Sequence, residues 1–169
     1  MAQEKTPKTL GARIGIGHDT HRLQAGSGTL RLGGIDIPSE RETIAHSDGD
    51  VLLHAITDAL LGAAALGDIG QMFPDTDPRN KGRDSGEMLC TVIDDICALG
   101  WRIVNIDCII FLERPKLLPH KQTIRRRVAD LLGVELERVG LKAKTGEQIG
   151  LVGTEEIIAA QCVALLESG

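Results

Sequence analysis

The chain has 169 residues, 42% of them hydrophobic, enough for one domain with a substantial core. A net charge of −5, no tyrosine and only 2% aromatic residues exclude a nucleic-acid surface made of a basic face and stacking rings. With no apolar span of about 18 residues and no basic-then-apolar leader, the chain reads as soluble, unexported and cytoplasmic, without a membrane partner.

Residues 1–12 are polar and read as a flexible tail, leaving 13–169 as the folded domain. Cys90, Cys97, Cys108 and Cys162 form no C-x-x-C pair and sit among apolar residues, as small buried hydrophobes of a reducing compartment do.

The first predicted strand, 13–21, carries Asp19 and His21 two residues apart, so both side chains leave one face. Gly26-Ser27-Gly28 reads as a turn. Residues 30–37 read as a short hairpin about Gly33-Gly34 that Pro38 ends, a flap beside the main sheet. Ser47 or Asp48 is then placed to cap a helix over about 50–65 that stops at Gly67, and His46 and Ser47 at its start could meet an anion or serve in ordinary capping. Within that helix Asp50, His54 and Asp58 recur every fourth residue and share a polar stripe. Asp19, His21 and His54 make a three-donor set that leaves one position of a tetrahedral Zn²⁺ open, which suits catalysis. Spacing of this kind more often reflects a chance Asp-x-His and a hydrogen-bonded core histidine than a metal site.

The Asp-rich, Pro-flanked segment 73–78 can only be a loop, and Asp68, Asp75 and Asp77 there are either ligand contacts or turn formers. Asp84-Ser85-Gly86-Glu87 resembles a capping box for a helix whose apolar face is Met88, Leu89, Val92, Ile93, Ile96 and Cys97, stopped by Gly100. The strand 101–112 places Val104, Ile106, Cys108, Ile110 and Leu112 under helices. Its other face, with Ile103, Asn105, Asp107, Ile109 and Phe111, is too apolar for solvent and predicts another subunit. A Pro-bracketed loop, 114–120, precedes a helix over about 120–132 with Arg125, Arg126 and Arg127 on a solvated face. Strands over 139–145 and 157–166 complete an α+β fold. It is expected as a four-stranded mixed sheet of split βαβ or ferredoxin-like kind, with helices on one face and the other buried by self-association.

Five stretches in register, Gly17-His18-Asp19-Thr20-His21-Arg22, residues 45–51, residues 54–63, Gly67-Asp68-Ile69-Gly70 and Phe73-Pro74-Asp75-Thr76-Asp77, resemble the 2-C-methyl-D-erythritol 2,4-cyclodiphosphate synthase family. The match continues through Arg114-Pro115-Lys116-Leu117-Leu118-Pro119-His120 and residues 139–145, and so covers nearly the whole chain past the tail. The resemblance implies a homotrimeric phosphorus–oxygen lyase of the non-mevalonate isoprenoid route, with active sites between neighbouring subunits. Its substrate would be 4-diphosphocytidyl-2-C-methyl-D-erythritol 2-phosphate, and its products the cyclic diphosphate and CMP.

By the same resemblance, Asp19, His21 and His54 hold Zn²⁺ or a similar divalent ion, and Glu147 helps hold Mg²⁺ or Mn²⁺ between the two phosphates. His46 and Ser47 contact a substrate phosphate; Asp58, His46 and Thr145 serve catalysis, with Asp58 beside the zinc ligands. Asp68, Ile69, Gly70, Asp75 and Asp77 contact the erythritol part, while Pro115, Lys116, Leu117, Leu118, Ala143, Lys144 and Thr145 form the cytidine pocket. The chain departs from the family pattern at Lys144, Leu151 and Thr154. A zinc phosphohydrolase and a non-catalytic metal-dependent trimer stand as the rival readings.

Overall fold

Alternation from residue 12 onward makes a long first strand, β1 (Ala12–Leu32), and two glycines turn it straight back into β2 (Ile35–Ile44). Gly33 and Gly34 have φ of +64° and +75°, the conformation a two-residue hairpin turn needs, so the expected turn is present. The flap is not short, however: Pro38 pairs with Thr29 inside the ladder, and β2 continues to Ile44. As the edge strand, β2 has one side without a ladder partner, where a missing N–H is tolerated. Gly26-Ser27-Gly28 is likewise no turn, since β1 runs through it with a register shift between Ala25 and Gly28. A Cβ on Gly26 would lie 2.7 Å from the Glu42 nitrogen, so glycine there permits the close approach of the two strands.

This computed structural model describes residues 11–169; of the tail expected over 1–12, residues 1–10 lie outside the described residues. Ala12 begins β1 instead, and Gly11 beside it is tied to the sheet, its carbonyl accepting the Ser168 N–H at 2.9 Å.

With β3 (Trp101–Phe111), β4 (Val139–Lys144) and β5 (Ile157–Ser168), the sheet has five strands rather than four, in the order β2-β1-β5-β3-β4. β5 lies antiparallel between β1 and β3, so β1 and β3 are parallel and form a split βαβ unit. β3 and β4 pair in parallel, joined by α4 (Lys121–Leu132), which departs from a ferredoxin-like order. In β3 a register shift between Ile103 and Asn105 turns Ile103 to the buried face, so the expected alternation holds only from Asn105 onward.

α1 (Val51–Ala64) is the central helix, buried at 12 of its 14 residues, and α3 (Ser85–Ala98) packs beside it. The helix cap is Asp50, not Ser47 or Asp48: its fully buried carboxylate accepts N–H groups from Leu53, Gly33 and Gly34, tying helix start and hairpin turn together. α1 ends at Ala65 in the left-handed region, before Gly67 is reached. Cys108 and Cys162 are buried and face each other across β3 and β5, whereas Cys90 and Cys97 are exposed, because α3 turns Leu89, Val92 and Ile96 inward instead. Arg125 is not simply solvated: its guanidinium donates to the carbonyls of Val139 and Leu136 and fastens α4 to the start of β4. Among the described residues no helix is long and apolar enough to cross a membrane.

The sheet face turned away from α1 lies open. Ile14 and Ile16 are 73% and 71% exposed, and cross-strand rows continue from them through Leu165 and Val163.

Candidate metal centre and its cleft

Gly15, Gly17, Asp19 and His21 share the helix-facing side of β1. The glycines matter because α1 lies directly on the strand: a Cβ on Gly15 would be 1.9 Å from the Ala59 carbonyl oxygen, and one on Gly17 2.0 Å from that of Ala55. This contact brings His54, the neighbour of Ala55, beside the two residues that follow the glycines.

Asp19 Oδ2 lies 2.9 Å from His54 Nδ1 and 3.1 Å from His21 Nε2, and the two imidazole nitrogens are 3.3 Å apart. The rings meet edge to face, at 74°. Burial opposes charge on Asp19, but hydrogen bonds and positive charge from His21 and His54 outweigh it and hold the carboxyl well below the usual range. Burial likewise opposes charge on His54, and there the Asp19 hydrogen bond and charge, with Asp50 and Asp48 adding theirs, raise its pKa. One carboxylate oxygen and two imidazole nitrogens within 4.8 Å of one another form a donor set that can hold a divalent metal.

The donors sit at the wall of a cleft of about 310 Å³, whose rim includes His46, Ser47, Ile69, Gly70 and Asp75. Asp58, one turn beyond His54, accepts the Ile69 N–H at 2.8 Å and so moors that rim to α1. Burial raises its pKa, aided by the charges of Asp68 and Asp19 and opposed by the Ile69 hydrogen bond. Ser47 is not at a helix N-terminus, because α1 begins at Val51 and its cap carboxylate is already inside. Free helix N–H groups therefore do not meet an anion at Ser47, although Ser47 still faces the cleft.

Other expected residues stand apart from the donors. Asp68 caps α2 (Ile69–Met72) through one carboxylate oxygen, and Asp77 pairs with Arg79, whose hydrogen bonds lower its carboxyl to about 2. Lys116, Leu117, Leu118, Ala143, Lys144 and Thr145 do gather, around a second hollow of about 230 Å³. Pro115 lies on a neighbouring hollow beside Arg41 and Glu155. Glu147 is exposed next to Thr145, whose hydroxyl donates to it at 3.0 Å, and is not among the three grouped donors. Register puts Asp19, Ala160, Ile110 and Ala143 in one row across four strands, so the second hollow is about 14 Å from the donors.

Three further features position the site. Gly15 and Gly17 were visible as a G-x-G pattern before Asp19, and close helix approach is what such a pattern allows. Glu113, buried, accepts the Gly146 N–H at 3.0 Å and holds the two sides of the second hollow together. Ser85, assigned to the capping box, is free for other work because Asp84 makes the cap.

Fold and site together define an α+β protein with three grouped donors, able to hold a divalent metal, at the wall of a mixed polar and apolar cleft. The chain belongs to the YgbB family, whose family model matches residues 12–167. It is 54% identical over 144 residues to a protein of Gemmatimonas aurantiaca named 2-C-methyl-D-erythritol 2,4-cyclodiphosphate synthase, covering 85% of this chain and 86% of that one. Among solved structures, one of a 2C-methyl-D-erythritol-2,4-cyclodiphosphate synthase in a bound form with CDP is 43% identical with a TM-score of 0.84, covering 91% of this chain and 99% of that one. The bifunctional IspDF from Campylobacter jejuni is 37% identical with a TM-score of 0.89; 95% of this chain is covered, but only 43% of that longer one.

Proposed function

We propose that the chain converts 4-diphosphocytidyl-2-C-methyl-D-erythritol 2-phosphate into 2-C-methyl-D-erythritol 2,4-cyclodiphosphate and CMP, in the non-mevalonate isoprenoid route. The observation that carries this reading is the convergence of Asp19 Oδ2, His21 Nε2 and His54 Nδ1 at the wall of one cleft, within a chain of this family.

Asp19, His21 and His54 would hold Zn²⁺ and Glu147 would help hold Mg²⁺, and these ions would neutralise phosphate charge. The chain's own groups position the substrate. His46 and Ser47 receive the 2-phosphate, and Asp68, Ile69, Gly70, Asp75 and Asp77 fix the erythritol chain. Asp58 keeps the 68–70 rim in place against α1. Pro115, Lys116, Leu117, Leu118, Ala143 and Lys144 read cytidine mainly through backbone groups, and Thr145 orients the diphosphate. With the ends of the substrate fixed, a 2-phosphate oxygen attacks the β-phosphorus in line. The bond from that phosphorus to the CMP oxygen breaks, CMP leaves with the electron pair, and an eight-membered ring closes.

The active assembly is a homotrimer. A donor cleft and a nucleotide hollow about 14 Å apart on one chain are better joined if a neighbour's hollow faces each cleft. The open face around Ile14 and Ile16 offers the apolar surface for such packing.

Phosphorus NMR of the protein with its substrate, Zn²⁺ and Mg²⁺ tests the reaction. Cyclic diphosphate and CMP in equal amounts are expected; a linear phosphate product would instead establish a phosphohydrolase.

A further inference from the structure

Behind the donor set, a buried hydrogen-bond chain leads away from the cleft. His54 turns Nδ1 toward Asp19 and His21, which leaves Nε2 at its rear. There Ser85 Oγ lies 2.8 Å from Nε2. Ser85 is 1% exposed and starts α3, distant in sequence from either donor segment. Its hydroxyl donates to Asp48 Oδ1, and its backbone N–H to Asp48 Oδ2 at 3.0 Å. Asp48 is held in turn by the Asp50 N–H at 3.3 Å and by Arg31, whose Nε lies 3.8 Å away.

Counting protons gives this chain a direction. A carboxylate can only accept, so the single Ser85 hydroxyl proton goes to Asp48. Toward the ring Ser85 then has only lone pairs, and Nε2 must carry the hydrogen. A metal-ligating imidazole is neutral and has one N–H, so with that hydrogen on Nε2 the Nδ1 lone pair is available to a metal; without metal, Nδ1 carries a hydrogen of its own and donates it to Asp19 Oδ2. Ser47 Oγ, also near Nε2 at 3.2 Å, already accepts the Gly49 N–H at 3.2 Å, and its own proton is not needed by either contact.

We propose that Ser85 and Asp48 are positioning residues that fix the ring orientation and tautomer of His54 for metal binding, and that they leave the Ser47 hydroxyl free for substrate. The inference rests on the metal reading above. Outer partners of this kind set metal affinity through ligand orientation, and their loss typically costs about 10- to 100-fold.

The test is Zn²⁺ affinity by chelator competition in the intact protein, compared for the wild type, Ser85→Ala, Asp48→Asn and Ser47→Ala. Ser85→Ala should weaken Zn²⁺ binding about 10- to 100-fold, and Asp48→Asn should weaken it in the same direction. Ser47→Ala should bind Zn²⁺ like the wild type while losing substrate affinity. The visible bands of the Co²⁺-substituted protein should change in Ser85→Ala and not in Ser47→Ala. A folded Ser85→Ala protein with wild-type Zn²⁺ affinity would overturn the inference while leaving the metal reading intact. A wild type that binds no Zn²⁺ would overturn both. Should both relay variants fail to fold, proton NMR of the Zn²⁺-loaded wild type still decides: a slowly exchanging His54 Nε2 proton with a nuclear Overhauser contact to Ser85 is expected, and a freely exchanging one refutes the relay.

Discussion

Replacing Gly17 with alanine adds one methyl group where β1 and α1 touch. Built in place, that Cβ lies 2.0 Å from the Ala55 carbonyl oxygen and 2.6 Å from the Ala59 nitrogen, whereas real Cβ atoms essentially never approach below 3.0 Å. Both obstacles are helix backbone, so no side chain can swing aside and α1 must retreat from the strand by about 1 Å locally. Overpacking of this kind costs about 1 to 3 kcal/mol, offset in part by the smaller entropy that alanine loses on folding. For a chain of this size the melting temperature should fall by about 2 to 12 °C. The larger effect is on the site, because Ala55 follows His54 directly. A shift of about 1 Å in one donor costs on the order of 100-fold in a reaction that depends on positioning. Thermal unfolding, Zn²⁺ competition and turnover should therefore all decline, turnover most. An alanine variant with wild-type melting temperature and metal affinity would show that the glycine contact does not set the position of His54.

Removing a donor is simpler: His54→Ala should abolish tight Zn²⁺ binding and cut cyclisation by at least about 100-fold, read by phosphorus NMR. Glu147→Gln should lower turnover about 10-fold at limiting Mg²⁺ and recover as Mg²⁺ is raised; insensitivity to Mg²⁺ would remove Glu147 from that role. In the metal-free protein, Asp19 has a depressed pKa, so its contribution is present above its unfolded value of about 3.9 and fades as pH falls below it. His54 has a raised pKa, so its contribution is complete below about 6.5 and is lost as pH rises through the folded value. Urea midpoints of stripped protein should thus decline from pH 6 toward alkaline pH, and His54→Ala should flatten that decline; a midpoint that rises over this range would contradict the assignment. Ile16→Glu, on the open face and next in its cross-strand row to Val163 and then Asp107, should convert a trimer to monomers in analytical ultracentrifugation, with turnover lost as well.

Local features were legible in the sequence wherever a short period or a turn residue carried them. Asp19 and His21 share a face because a strand has a period of two, and Gly33-Gly34 makes the hairpin because two successive positive φ values demand glycine. The Pro38 error arose because a proline ends a strand in the middle of a sheet but not at an edge, and edge position is a property of the whole sheet. The displaced cap has a similar cause. Ser47, Asp48 and Asp50 are all good capping residues, and Asp50 prevails because its carboxylate also binds the Gly33-Gly34 turn, about 16 residues earlier in the chain.

By itself the sequence determined that Asp19 and His21 share one face of a strand and that His54 sits on a helix, since both follow from backbone period. It also determined the apolar character of the face that the single chain leaves open. Only tertiary structure decided the rest: that α1 lies against Gly15 and Gly17, that one nitrogen of His54 meets Asp19 while the other meets Ser85, and that the Asp48 carboxylate receives the Ser85 hydroxyl. Those contacts join segments tens of residues apart, and the direction of a hydrogen bond between them depends on three-dimensional placement that no local pattern encodes.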